Sequence, residues 1–162
     1  MSFYEKDTRS FGFDIKKINS QDSLFHAIYF LDYETGSLLV SNRFSNKLSF
    51  LKDDLICSFL NAINLFINEL KEEGNEELQE INFKNTRILY EREGRLLVIA
   101  VTKKNDVNIE RGVVREILED FYLRFKNYIN SFNGAIPPII VDYKKRLQCM
   151  DLNTAFKFNT GI

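Results

Sequence analysis

The chain has 162 residues and a mass of 19.1 kDa, the size of a single domain with a real buried core. Its 22 basic and 23 acidic residues leave a net charge of −1, which argues against a nucleic-acid binder, because such proteins draw affinity from Lys and Arg neutralising phosphates. Fifteen Phe and seven Tyr with no Trp predict a core filled by large flat side chains, although an A/T-rich genome, which also inflates Ile, Asn and Lys, accounts for the same excess.

Residues 1–23 are polar and weakly patterned, with Phe11, Phe13, Ile15 and Ile18 marking a short extended piece that packs on the body. This segment is expected to be an arm. It carries mixed charge and no apolar h-region, so it is not a secretory signal. No segment reaches the ~18 uninterrupted apolar residues of a membrane span. These features predict a cytoplasmic protein with no membrane span. Residues 26–31 form a β-favouring run that ends at Asp32-Tyr33-Glu34-Thr35-Gly36-Ser37, where Asp and Gly supply turn chemistry. Residues 38–44 return, completing a β-hairpin.

Asp53-Asp54 opens a helix, since acidic groups favour this end as caps and through the macrodipole. Leu55, Ile56, Phe59, Leu60, Ile63, Phe66, Ile67 and Leu70 follow at spacings of one, three and four, a broad helical stripe. Gly74 stands where a helix closes in the left-handed conformation. Residues 78–84 alternate weakly, with Ile81 and Phe83 on one side, as suits an edge strand. Residues 87–91, a Glu93-Gly94 turn and residues 95–102 then form a second hairpin. The last of these strands is apolar on both faces, so it is central and covered above and below.

Asn105, Asp106 and Asn108 offer caps for a second long helix with the stripe Val113, Val114, Ile117, Leu118, Phe121, Phe125, Tyr128 and Ile129. Asn133-Gly134 and Pro137-Pro138 break it. A shorter amphipathic stretch from Asp142 to Leu152, with Tyr143, Leu147 and Met150 on one side, reads as a third helix. The order is β-β-α-β-β-β-α-α: an α+β fold with a five-stranded, mostly antiparallel sheet and helices on both faces. The expected organisation is an N-terminal arm over 1–23, one domain over 24–152 and a C-terminal tail over 153–162.

Catalytic chemistry is hard to assemble. His26 is the single histidine, and no Ser, Cys or Asp stands at a spacing that would make it a general base. Cys57 and Cys149 are far apart, and Cys57 falls within a helical apolar pattern, where it reads as a small buried hydrophobe. This usage fits a reducing compartment, with one long-range disulfide left open. One His and two distant Cys supply no usual zinc set. The seven glycines form neither the dinucleotide nor the nucleotide-triphosphate fingerprint. The chain is expected not to be an enzyme and to hold no cofactor and no metal. The first helix carries apolar residues over a wide arc, since Leu55, Phe59 and Phe66 flare from the line through Ile56, Leu60, Ile63 and Ile67. This is either a wide core face under the sheet or, in part, a surface that meets another protein alongside the strand at 78–84.

The element order, the D-x-x-T-G turn at Asp32 to Gly36 and the strand–Glu-Gly–strand–helix unit from Arg87 to Ile129 resemble the longin domains. They also resemble the wider group of roadblock domains and adaptor small subunits. HAIYFLDYETGSLLVSNRF and RILYEREGRLLVIAVTKKND read like that group's first hairpin and its fourth and fifth strands, and the likeness covers residues 24–152. Roadblock domains usually begin with a helix that has no convincing counterpart here. Longin-bearing fusion proteins continue into a heptad coiled coil, whereas this sequence ends at Ile162, which predicts a stand-alone longin-like domain. The resemblance implies a scaffold: such domains pair with themselves or a relative, as homodimer or heterodimer, through the first helix and the third strand. They then form a platform for small GTPases or membrane-trafficking complexes. Phe59, Phe66, Ile81 and Phe83 are the candidate protein interface. The rival readings are a small-ligand sensor with a pocket between sheet and helices, and a minor enzyme subunit.

Overall fold

The computed structural model describes residues 24–45, 52–69 and 78–149. The expected arm over 1–23, the tail over 153–162, and Leu70, Gly74, Met150 and Leu152 lie outside the described residues. The elements are β1 (Phe25–Asp32), β2 (Leu38–Arg43), α1 (Asp53–Glu69), β3 (Glu80–Asn82), β4 (Thr86–Glu93), β5 (Leu96–Lys103), α2 (Val107–Asn130), α3 (Pro138–Val141) and α4 (Tyr143–Gln148). The strands form one sheet in the order β2-β1-β5-β4-β3, antiparallel at every pairing.

β5 is central, as its two apolar faces demand. Val98 and Ala100 face the core under α2, whereas Leu97, Ile99 and Val101 face the core under α1, the two-residue period of a strand. β1 sits beside it and also feeds both cores. Phe25, Ile28 and Phe30 face α2, while Ala27, Tyr29 and Leu31 face α1. Residues 25 and 28 share a side because a register shift between Phe25 and Ala27 resets the alternation. His26, at that bulge, is hydrogen-bonded through Nδ1 to Ser45 Oγ at 2.7 Å.

α2 begins where expected: the Asp106 carboxylate accepts from the backbone N–H groups of Asn108 and Ile109. It buries Val113, Val114, Ile117, Leu118, Phe121, Phe125 and Ile129 on the sheet. Tyr128 is half exposed rather than part of that stripe. Phe30, Phe121, Phe125 and Tyr143 form one cluster of tilted and edge-to-face rings, with centroids 4.5 Å apart for Phe30–Phe121 and 4.9 Å for Phe121–Tyr143. These aromatics are consumed by core packing.

Three expectations need correction. The third strand is three residues long rather than seven, because Phe83 N donates to Thr86 O at 2.8 Å and turns the chain. In the β4–β5 hairpin Glu93 pairs with Leu96, so the loop residues are Gly94 and Arg95. Only Gly94, at φ 57°, needs the left-handed region. The expected third helix is present as α4, and a further short helix, α3, precedes it and meets it at Asp142. Pro138 starts α3 instead of merely ending what precedes it, since the first helical position needs no N–H.

Candidate protein-interaction face

Among the described residues, α1 is the one helix on the second face of the sheet. Its start is fixed by Asp53, whose carboxylate accepts from Ser41 Oγ at 2.6 Å and from Arg43 Nε at 2.8 Å. Burial pushes the Asp53 carboxyl up, but the hydrogen bonds from Ser41 and Arg43 outweigh it and hold the group below the usual carboxylate range. Further along, Tyr90 Oη donates to Leu60 O at 2.8 Å. Cys57 and Leu60 are buried against β1, β4 and β5. Burial, with Asp53 and Asp54 adding to it, raises the Cys57 thiol far above its ordinary value, so it stays protonated and inert. Both cysteines are free.

A helix is about 10 Å across, whereas five strands spaced by roughly 4.8 Å span about twice that. One helix therefore leaves part of this face open. The open part is an apolar groove of about 600 Å³, walled by Leu55 and Phe59 of α1 on one side and by Phe83 and Thr86 on the other. Ile88 and Val101 of the sheet form its floor, with Ile56 and Leu60 at the foot of the helix. Leu55 and Phe59 are 63% and 64% exposed, Phe66 64% and Phe83 53%. Leu55, Phe59, Ala62 and Phe66 are spaced by four, three and four residues, so they form a second stripe on α1, turned away from the core.

The structure thus brings Phe59 and Phe83 together across the groove. Phe66 lies on the same outward stripe beyond the groove's end, and Ile81 is partly buried against the core cluster beneath α1. Leu55, Ile88 and Val101 belong to the groove but not to the candidate set. The two strand residues carried no local signal of exposure, because it depends on where α1 crosses the sheet. The neighbouring edge is charged: Arg111 Nη2 donates to Glu80 Oε1 at 2.8 Å, and Arg87 bridges to Glu110 at 2.6 Å.

A second concavity of about 240 Å³ is polar and includes Tyr33, Asn64, Tyr90, Arg92 and Arg111 in its lining. Arg92 stacks 3.5 Å over the Tyr33 ring, and Arg111 is paired with Glu80 and Glu91. It is smaller than the roughly 300 Å³ at which drug-sized ligand sites begin. Among the described residues no group of three or more His, Cys, Asp or Glu could hold a metal ion, and no helix is long and apolar enough to cross a membrane.

No protein-family model matches the sequence, and no curated protein matches it. Among solved structures it is similar to MglB of Myxococcus xanthus, a protein of the roadblock/longin fold, with a TM-score of 0.57 and 11% identity over 82% of this chain and 98% of that chain. At that identity the likeness speaks of the backbone. Together with the antiparallel sheet order and the helices on both faces, it gives this chain a longin-like α+β fold.

Proposed function

We propose that the chain is a non-catalytic interaction platform that pairs through α1 and the β3 edge with a second copy or a related domain, and in that state regulates or recruits a small GTPase or a trafficking complex. The observation that carries this reading is the outward apolar face of Leu55, Phe59, Phe66 and Phe83. Large contiguous apolar patches on soluble domains mark interaction sites. The four-three-four spacing along α1 is that of a helix-pairing seam, and the small Ala62 side chain at its centre allows close approach. A two-fold axis through such a seam makes it self-complementary. The GTPase partner rests on the fold likeness alone, a weaker kind of support.

The test is solution mass by light scattering across a wide concentration range, on the parent chain and on Phe83→Asp. The expected result is concentration-dependent pairing that Phe83→Asp weakens by about tenfold, an interface truncation of roughly 1.4 kcal/mol, with the circular-dichroism spectrum unchanged. A folded Phe83→Asp chain that pairs as well as the parent removes the interface assignment. Retention of a small GTPase by the parent and not by the variant would extend the reading to the partner. The small-ligand sensor reading would use the same groove, whose volume of about 600 Å³ lies in the range of small-molecule sites; a ligand that raises the melting temperature of a chain that does not pair would favour it.

A further inference from the structure

The groove opens at the end of the sheet where the chain enters β1. Lys103 N donates to Leu24 O at 2.8 Å, Phe25 is paired with Thr102, and Lys103 is paired with Thr86, which is itself a groove residue. Leu24 is therefore two strand spacings, about 10 Å, from the groove's rim. Residues 1–23 precede it, outside the described part of the chain.

Their sequence is divided in a way that fits this geometry. Phe11, Phe13 and Ile15 alternate with Gly12 and Asp14, and Ile18 follows. Asn19-Ser20-Gln21-Asp22-Ser23 then joins Ile18 to Leu24 with five polar residues. Five residues of extended chain reach about 17 Å, enough to cross from β1 to the groove on the α1 face. In an extended segment the three alternating apolar residues fall on one side, about 7 Å apart. The groove offers apolar walls and an apolar floor to that side and a concave shape that receives a chain segment. A tether this short also sets an effective concentration in the millimolar range, so even a weak contact is well populated.

We propose that residues 11–18 of the same chain occupy the groove, with Phe13 between Phe59 and Phe83, and so cover the pairing face until a partner displaces them. The regulatory consequence rests on the reading of that face as a pairing surface. The docking itself does not.

The experiment uses the full chain with a photoreactive benzoylphenylalanine at position 13, irradiated at high dilution as a mixture of isotopically heavy and light chains, with the adducts mapped by mass spectrometry. The expected adducts join position 13 to residues 55–60 or 83–88 of the same chain, and Phe83→Asp lowers their yield at least threefold. Adducts confined to other surfaces, adducts joining heavy to light chains, or no adduct at all overturn the proposal. In parallel, the full-length variant Phe11→Ser/Phe13→Ser/Ile15→Ser is compared with the parent by light scattering. Within-chain adducts at the groove together with about tenfold tighter pairing of the variant support both docking and its consequence. Groove adducts with a variant that stays monomeric keep the docking and sink the pairing reading. Absent adducts, with parent and variant pairing equally, sink the docking and keep the pairing.

Discussion

Two carboxylates tie distant parts of the chain together. Asp32 accepts from Thr35 N at 3.0 Å and Thr35 Oγ1 at 2.7 Å within its turn, and from Arg95 Nε at 2.8 Å and Nη2 at 3.0 Å across the sheet. Burial pushes its carboxyl up, yet the hydrogen bonds from Arg95 and Thr35 prevail and hold it below the usual carboxylate range. A folded pKa below the unfolded one contributes stability that is present above the unfolded value, near 3.9, and is lost as pH falls through the folded value. Asp32→Asn should therefore flatten the acid limb: urea midpoints at about pH 6 and pH 3 should differ less in the variant than in the parent. An unchanged limb would assign the acid sensitivity to other carboxylates. Asp120 accepts from Tyr143 Oη at 2.6 Å, Arg146 Nε at 3.0 Å and Arg124 Nε at 3.0 Å, and Arg146 is fully buried. Asp120→Ala removes the counter-charge of a buried guanidinium and should cost about 3–5 kcal/mol in urea unfolding. A loss near that of a surface substitution, about 0.5 kcal/mol, would show that Arg146 finds other support. The turn role of Asp32 was legible from D-x-x-T-G. Its partner, 63 residues away, was not, and nothing local marks the pairing of Asp120 with Tyr143 and Arg146, because the first contact exists only once β1 has paired with β5 and the second only once α4 has packed on α2.

Elements whose signal is local were readable in advance, and those whose signal is tertiary were not. β5 announced its central place by being apolar at six consecutive positions, Leu96 to Val101, and α2 announced its start through Asp106. β1 also reads as one apolar run, and that run conceals the bulge that lets Phe25 and Ile28 face the same core. The alternation of residues 78–84 continues through Phe83, yet pairing stops at Asn82 because the backbone there already bonds back to Thr86. The two hairpin turns make a paired prediction. Gly36 has φ 74°, and a Cβ on it would stand 2.7 Å from Asn61 Nδ2, a buried side chain of α1. Gly94 has φ 57°, but its Cβ would meet nothing closer than Tyr122 Oη at 3.8 Å. Gly94→Ala should cost about 1–2 kcal/mol for left-handed backbone alone. Gly36→Ala should cost more, because the buried Asn61 side chain must also give way. Equal losses by thermal unfolding would mean that Asn61 rearranges freely and that α1 is loosely seated on the first hairpin.

At the scale of the whole molecule, the breadth of the apolar arc on α1 was legible, but what lay opposite it was not. Spacing places Phe59 and Phe66 off the core line. Only the path of α1 across the sheet sets partly buried Ile88 and buried Val101 at the groove's floor, and only the turn after β3 brings Phe83 to the opposite wall. The chemistry of that face predicts how pairing responds to solution conditions. Among the described residues no charged one lines the groove, so association through it should draw on apolar burial, which strengthens from cold to ambient temperature and is indifferent to screening. The charged flank of the same interface is the β3 edge, where Glu80, Arg87 and Arg111 already form ion pairs within the chain. An interface built on those charges would weaken as the Debye length shrinks from about 14 Å to about 4 Å between 0.05 and 0.5 M salt. The expected outcome is a dissociation constant that changes by less than about threefold over that range and rises about tenfold, roughly 1.4 kcal/mol, in Phe66→Asp. Strong weakening by salt with no effect of Phe66→Asp would move the contact from the face of α1 to the charged strand edge.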